Sequence, residues 1–450
     1  MKNTLLFLAI NLLTVFTVNA QWQIVGTAGF TTAGVDHPSL VFSSNDDPYI
    51  AFKDGANINK ATVMKFDGIN WTTVGAAGFS EGFAGHISLA LNSSDEPYVV
   101  YRDAANGDQA TVMKYDGTNW VIVGTPGISG GGGVVQQETT AIAFNSNNEP
   151  YIAFTEYNAV NIVNKATVMK FDGINWTTVG PAGIEFARSI SLAFNSNNEP
   201  YIAFRAGSYA NKASVMKYDG TNWVTVGTAG FSAAGADYLS LAFNGNDEPY
   251  VAYRDAGNSQ KATVMKYDGT SWVSVGTTGF SAGQVFHTSL AFNSSNEPYV
   301  AYRDLANSQK ATVMKFDGTN WVNVGMSGFS AGYADKTSLA LNSNDIPFVA
   351  FVDLTQLYKP TVMKFNEGAL GIPNSNSVND KIIIYPNPTN DIINFSQQTN
   401  LQVTNGIGQM VAKKSNVKAL DLSNHPTGIY FITLIDNYGE VVQRSKIIKK

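Results

Sequence analysis

Basic and acidic residues stand side by side at regular places in this 450-residue chain: Arg102-Asp103, Arg254-Asp255 and Arg303-Asp304, with Lys53-Asp54 as a variant. A lysine follows at Lys60, Lys261 and Lys310, and Gln109 takes that place in another copy. Guanidinium and carboxylate form short, charge-assisted, often bidentate pairs. Repeated around a ring, such pairs are expected to close loops against neighbours rather than to build one reactive centre. Thr155-Glu156, Arg205-Ala206 and Val352-Asp353 break the pattern. His37, His86 and His287 share one repeat position, held elsewhere by Thr139, Ser189, Tyr238 and Lys336. Imidazoles on one rim would suit a metal, but donors must converge to about 2 Å from the ion. The three copies that carry them are not three neighbours, so neither metal nor cofactor is expected. One position earlier stand Asp36, Glu138, Asp237 and Asp335, alternating with Gly85, Arg188 and Phe286. Acids and one arginine around a channel mouth would bind a cation or a polar ligand, or simply form a solvated rim.

Three loops depart from the repeat. The crossing from Thr125 to Thr140 contains Gly130 to Gly133 and is longer than its counterparts. The loop from Glu156 to Lys165 is also extended, and the crossing over 181–190, with Glu185 and Arg188, is shortened. A local departure from a regular array is the best pointer to a site, with drift as the alternative. The candidate ligand-binding set is therefore Asp36, Glu138, Glu156, Glu185, Arg188, Asp237 and Asp335. The glycine run is not a phosphate loop, because no Lys-Ser/Thr follows it. No catalytic residue is nominated. The chain has no cysteine, which rules out thiolate chemistry and disulfides. A glycosidase built on two carboxylates stays open, although no pair stands out.

The elements that must position these residues follow from a repeated phrase, ATVMKFDGTNWVNVG at residues 311–325. Trp22, Trp71, Trp120, Trp176, Trp223, Trp272 and Trp321 are spaced by 49, 49, 56, 47, 49 and 49 residues. A period near 50 signals stacked supersecondary units. Each unit holds four strand-like runs bounded by Asn, Asp, Gly and Pro, with an Asp-Gly hairpin between the third and fourth. Radial repetition of four-stranded sheets predicts a seven-bladed β-propeller. Its inner strands should begin near Ser39, Ser88, Ala141, Ser191, Ser240, Ser289 and Ser338. The last unit lacks a Trp strand, and Trp22–Val25 is a Trp strand without a unit. Docking the two closes the ring, whereas an open solenoid would leave Trp22–Val25 unpaired. The Asp-Gly-x-x-Trp phrase resembles the Asp-box turn of sialidase-like propellers, but it lacks the leading Ser and the residue between Asp and Gly. The arginines are repeat-equivalent, not the cluster that a sialidase needs. The longer loops gather on one face of the ring, where function usually sits.

Composition sets further bounds. The formal charge is −6. Residues 380–450 are net basic, so the repeat array is more acidic still, which argues against nucleic acid. Residues 1–20, MKNTLLFLAINLLTVFTVNA, read as a secretory signal peptide, with Lys2, an apolar run and Val18-Asn19-Ala20 before the cleavage point. A membrane anchor is the alternative, but the run is short for a span. No transmembrane segment is expected elsewhere.

After the array, residues 367–379 read as a linker and 380–450 as a small second domain. Its marks are Tyr385-Pro386-Asn387-Pro388-Thr389-Asn390, the Asn405-Gly406-Ile407-Gly408-Gln409 turn, Leu420-Asp421-Leu422-Ser423 leading to Gly428-Ile429-Tyr430-Phe431, and the basic end Lys446-Ile447-Ile448-Lys449-Lys450. This tail resembles the type A C-terminal sorting domain of the type IX secretion system of Bacteroidetes. The resemblance implies a small β-sandwich read by the outer-membrane translocon, and it makes Tyr385, Pro386, Asn387, Pro388, Gly428 and Tyr430 the sorting motif. The expected location is secreted or on the outer cell surface, reached by signal peptide and periplasm. The expected architecture is all-β: residues 21–366 as propeller, then the sandwich. The expected function is a binding protein for an extracellular glycan or surface protein, with polysaccharide hydrolase and structural adhesion protein as alternatives.

Overall fold

The computed structural model describes residues 21–128, 140–158, 163–366, 382, 384–406, 409–435 and 441–450. The signal-peptide reading of residues 1–20, the glycine run 130–133, Glu138 and the linker 367–379 lie outside these described residues.

Residues 21–366 form one compact unit. Blade one shows how each sheet arises. Strand β1 (Gln21–Ile24) precedes it and belongs elsewhere; the blade itself is β2 (Val35–Phe42), β3 (Pro48–Asp54), β4 (Lys60–Phe66) and β5 (Trp71–Thr73), in that spatial order. The β2–β3 turn is tight because Asp46 takes a left-handed φ of 63°, which Asp tolerates better than most residues. Between β4 and β5, Gly68 adopts φ 98° and the Asp67 carboxylate accepts the Ile69 and Asn70 amides. These local bonds hold Asp67 below the usual carboxylate range.

The pattern recurs as seven four-stranded antiparallel sheets, a seven-bladed propeller. The second strand of each blade is the most buried. Phe52, Tyr101, Phe154, Phe204, Tyr253, Tyr302 and Phe351 are fully buried in it, each stabilising the fold by roughly 1.5–3 kcal/mol. The core lies between blades: Tyr49, Ala51 and Val63 of blade one pack on Leu89, Val99 and Tyr101 of blade two.

The ring closes as the split phrase predicts. β1 pairs with Lys359–Asn366, Gln21 opposite Asn366 and Trp22 opposite Phe365, as the outer strand of blade seven. Two sets of cross-blade hydrogen bonds circle the ring and a third runs most of the way round. Each Trp indole donates to a Val carbonyl of the preceding blade: Trp71 to Val25, Trp120 to Val74, and so on to Trp22, which donates to Val324. On the turn face, the Ser343 amide and hydroxyl donate to Asp46, as those of Ser44 do to Asp95. Around the channel, Ser39 Oγ accepts the Leu89 amide and Ser338 Oγ accepts that of Leu40. Ala141 has no hydroxyl to continue this inner set.

Six of the inner strands start earlier than expected, while that of blade three starts at Ala141 as expected. That of blade one begins at Val35, not Ser39, because the pairing continues across a register shift between Asp36 and Ser39. The same shift recurs in blades two, four, five, six and seven.

The C-terminal unit is a small β-sandwich. The long strand Ile392–Asn405 carries a register shift between Asn394 and Thr399. Its first half pairs with Ile384–Tyr385 and its second half with Gly428–Ile435. Ile393, Phe395, Leu401, Val403, Leu420, Tyr430, Ile432, Leu434 and Ile447 form its core.

Candidate ligand-binding rim

The loop face is built from the first residues of each inner strand, the last residues of each second strand and the loop that follows. Where the strand bulges, His37, His86, Ser189, Tyr238, His287 and Lys336 all hold φ between 50° and 53°. Non-glycine residues in this region cost on the order of 1–3 kcal/mol each. A bulge re-aims a side chain, and here it brings counterparts of neighbouring blades together in two pairs. The His37 and His86 rings lie 4.7 Å apart, and the Tyr238 and His287 rings 4.5 Å. Thr140, Thr288 and Thr337 hydroxyls donate to the carbonyls of His86, Tyr238 and His287 in the preceding blade.

The acids one position earlier are engaged. Asp36 Oδ2 lies 3.0 Å from Lys53 Nζ and 3.2 Å from His37 Nδ1. Burial opposes its charge, yet His37 and Lys53 outweigh burial and hold the carboxyl far below its ordinary range. Asp335 Oδ1 receives Arg303 NH1 at 2.7 Å and His287 Nε2 at 3.1 Å. There too burial works against the charge, and His287 with Arg303 prevails, so the pKa is lowered. His287 is itself pushed down by burial, against the opposing pull of Asp335. Asp237 receives Arg205 at 2.5 Å from the neighbouring blade.

Glu156 and Glu185 are engaged by other groups. Glu156 accepts the Thr167 hydroxyl at 2.8 Å. In blade one, Asp54 accepts from Thr62 in the same way, so Glu156 replaces a loop-forming carboxylate. Glu185 accepts the Phe186 amide at 3.0 Å and the Ser208 hydroxyl. Arg188 lies opposite Arg205 in the ladder, its guanidinium 5.9 Å from the Phe186 ring centre.

The adjacent Arg-Asp residues are not partners of each other. Side chains alternate along a strand, so the two point to opposite faces. Asp54, Asp103, Asp255, Asp304 and Asp353 are buried and cap the short 3-10 turn that follows; Asp103, for example, accepts from Ala105 N, Asn106 Nδ2 and Thr111 Oγ1 at 2.8–3.0 Å. The arginines reach other acids: Arg102 meets Asp108 in its own loop, while Arg205 and Arg303 reach the next blade. Arg254 meets Phe286 instead, at 4.6 Å from the ring centre. Phe286, Tyr238 and Tyr333 were missed by reading acids alone. Phe286 stands in the repeat column of Asp237 and Asp335, where only the charged residues were nominated.

The turn face offers two equivalent grooves, of about 440 and 460 Å³, between blades three and four and between blades four and five. Their lysines and glutamates are already paired, Lys170 with Glu149 and Lys217 with Glu199. Among the described residues no group of three or more His, Asp or Glu is placed to hold a metal ion.

In the C-terminal unit the Tyr385–Pro388 segment is tied to the last strand. Asn387 Nδ2 donates to the Lys446 carbonyl at 2.8 Å, and its Oδ1 accepts the Ile448 amide at 3.0 Å. Tyr430 is buried and its hydroxyl donates to Pro426 O at 2.6 Å. Lys449 is also buried; its ammonium donates to the carbonyls of Leu422 and His425 at 2.7 and 2.6 Å. Gly428 has a φ of 151°.

The fold and tail together define a seven-bladed propeller carrying a type IX sorting C-terminus. Residues 383–450 match the family described as the secretion system C-terminal sorting domain. No curated protein matches the chain. Among solved structures, the fucose-specific lectin of Aleuria aurantia is 15% identical with a TM-score of 0.46, over 68% of this chain and all of that one. An α-L-arabinofuranosidase of Fusarium graminearum bound to arabinobiose is 12% identical with a TM-score of 0.41, over 63% of this chain and 92% of that one. An extracellular domain of a hybrid two-component system of B. thetaiotaomicron is 11% identical with a TM-score of 0.49, over 94% of this chain and 54% of that one. Likenesses this low carry no conclusion about activity. The sorting domain marks the chain for export, to the surface or the medium. No helix among the described residues is long and apolar enough to cross a membrane.

Proposed function

We propose that the protein is a secreted or cell-surface binding propeller that engages an extracellular glycan at its loop-face rim without cleaving it. The observation that carries this reading is the commitment of the rim carboxylates. A glycosidase needs one carboxyl that holds a proton and a second carboxylate at about 5–10 Å. Asp36 and Asp335 are held ionised by cationic neighbours, the opposite of the raised pKa that a general acid requires. Asp237 is bound by Arg205. What the rim does present is a circle of histidine, tyrosine, lysine and arginine side chains on a rigid ring. Such amphipathic donors suit the polar edges and apolar faces of sugars. The type IX machinery is the partner for export, and the glycan is the partner for function. A glycan array with the purified protein tests the reading. Binding without release of reducing ends is expected; chain cleavage, or no glycan bound, overturns it.

A further inference from the structure

The penultimate residue of the second strand gives an internal comparison across the ring. Lys53 pairs with Asp36, Arg102 with Asp108, Arg205 with Asp237 and Arg303 with Asp335, at 3.0, 2.8, 2.5 and 2.7 Å. Arg254 occupies the same position and makes no ion pair among the described residues. Its two possible acids are otherwise engaged. Asp237, opposite it in the ladder, is turned to Arg205. Asp255 is buried and accepts from Gly257 N, Asn258 Nδ2 and Thr263 Oγ1. The place in the next blade from which an acid would reach it belongs to Phe286.

The guanidinium of Arg254 is instead held over rings, 4.6 Å from the centre of Phe286 and 5.9 Å from that of Tyr238. Arg303 covers Phe286 as well, at 4.0 Å. Stacking uses the face of a guanidinium and leaves its edge N–H donors unspent. A half-buried cation, already oriented and partly stripped of water, pairs bidentately with a planar anion. Asp237 and Asp335 flank the region but are neutralised by Arg205 and Arg303. Lys336 adds positive field; His287 is held toward its neutral form by burial.

We propose that Arg254, stacked on Phe286, receives an anionic substituent of the bound glycan, a uronate carboxylate or a sulfate ester. This rests on the glycan-binding reading above and makes the ligand acidic. Phe286 thereby works as a vacated counter-ion position, which leaves one arginine of the ring for a ligand.

The test uses the full protein and titration calorimetry with oligogalacturonate, its methyl ester, a sulfated galactan oligosaccharide and poly-glutamate. Tighter binding of either acidic glycan than of the methyl ester, by about tenfold or more, and weakening with salt are expected. Arg254→Gln should abolish the preference, so that the acidic glycans and the methyl ester bind alike. Phe286→Asp should do the same with Arg254 still present, because the new carboxylate occupies it. Uronate and sulfate are told apart by which of the two glycans shows the preference. No preference of the wild-type chain for either acidic glycan over the methyl ester, or a preference that survives both variants, overturns the acidic assignment and leaves glycan binding standing. Equal binding of poly-glutamate overturns the glycan as the source of the anion. Failure of every glycan overturns both readings.

Discussion

The indole N–H of Trp22 donates to the carbonyl of Val324 at 2.9 Å, across 302 residues of sequence. The same ring stacks on Phe329 at 4.0 Å. Equivalent bonds join every pair of neighbouring blades, but this one spans the closure. Trp22→Phe should keep the stacking and lose about 0.5–1.5 kcal/mol. Trp22→Ala should lose roughly 3–5 kcal/mol. Urea unfolding of the two variants checks both; equal small losses would mean that the closure carries little of the stability.

Carboxylates of two kinds punctuate each blade, and they should respond differently to removal. Asp103 is buried and satisfies three donors. Asp103→Ala strands those donors and should cost about 2–4 kcal/mol. Asp116, in the exposed Asp-Gly turn, should give a clearly smaller loss on the same substitution. Thermal unfolding of the pair provides the comparison.

Acid stability follows from the rim. Asp36 and Asp335 have folded pKa values below their unfolded ones. Their contribution is fully present above about pH 4, the unfolded carboxylate value, and is lost as pH falls through the folded values. Asp36→Asn and Asp335→Asn should therefore flatten the acid limb of the stability curve. His287 is lowered too. The unfolded imidazole takes up its proton near pH 6.5 while the folded one resists, so stability declines below that pH. His287→Gln should remove that shallower decline. Denaturant midpoints across pH 2–8 measure both windows, and a curve unchanged by these substitutions would contradict the assignment.

Export should depend on the joint between the sorting motif and the last strand. Lys449 is buried against two backbone carbonyls, with Asp391 3.2 Å away. Lys449→Met leaves those carbonyls unsatisfied, and Asn387→Ala severs both ties to the final strand. Each should lower the fraction of protein reaching the surface or medium, and removal of residues 383–450 should abolish it. Cell fractionation and immunoblotting read the outcome.

Much of the architecture could be read from residue types alone. The period of the tryptophans, the Asp-Gly turns and the split of the phrase between Trp22 and Thr361 specify the blades and their closure, because hydrogen-bonding edges must be paired. The tail was readable through its Pro-Asn-Pro and Gly-Ile-Tyr-Phe motifs. The rim was less so. The repeated Arg-Asp adjacency marked arginines that pair with carboxylates and close loops, but not which carboxylate each reaches: Asp108 for Arg102 and Asp335 for Arg303. The bulge at His37 leaves no mark in composition, since it depends on a backbone conformation that histidine does not favour. The isolation of Arg254 depends on a single residue, Phe286, 32 positions later, and only the geometry of neighbouring blades makes those two positions meet.

The closure has a mechanical consequence. Asn366 ends a strand that is flanked on both sides, by Gln21–Ile24 and by Pro347–Asp353. Traction entering the ring from the C-terminal side is therefore shared between two hydrogen-bonded neighbours. Had the array ended in its own Trp strand, the same tug would have begun at an edge with one neighbour and peeled it away pair by pair. Moving that edge to the front of the chain places the weakest strand of the last sheet off the load path.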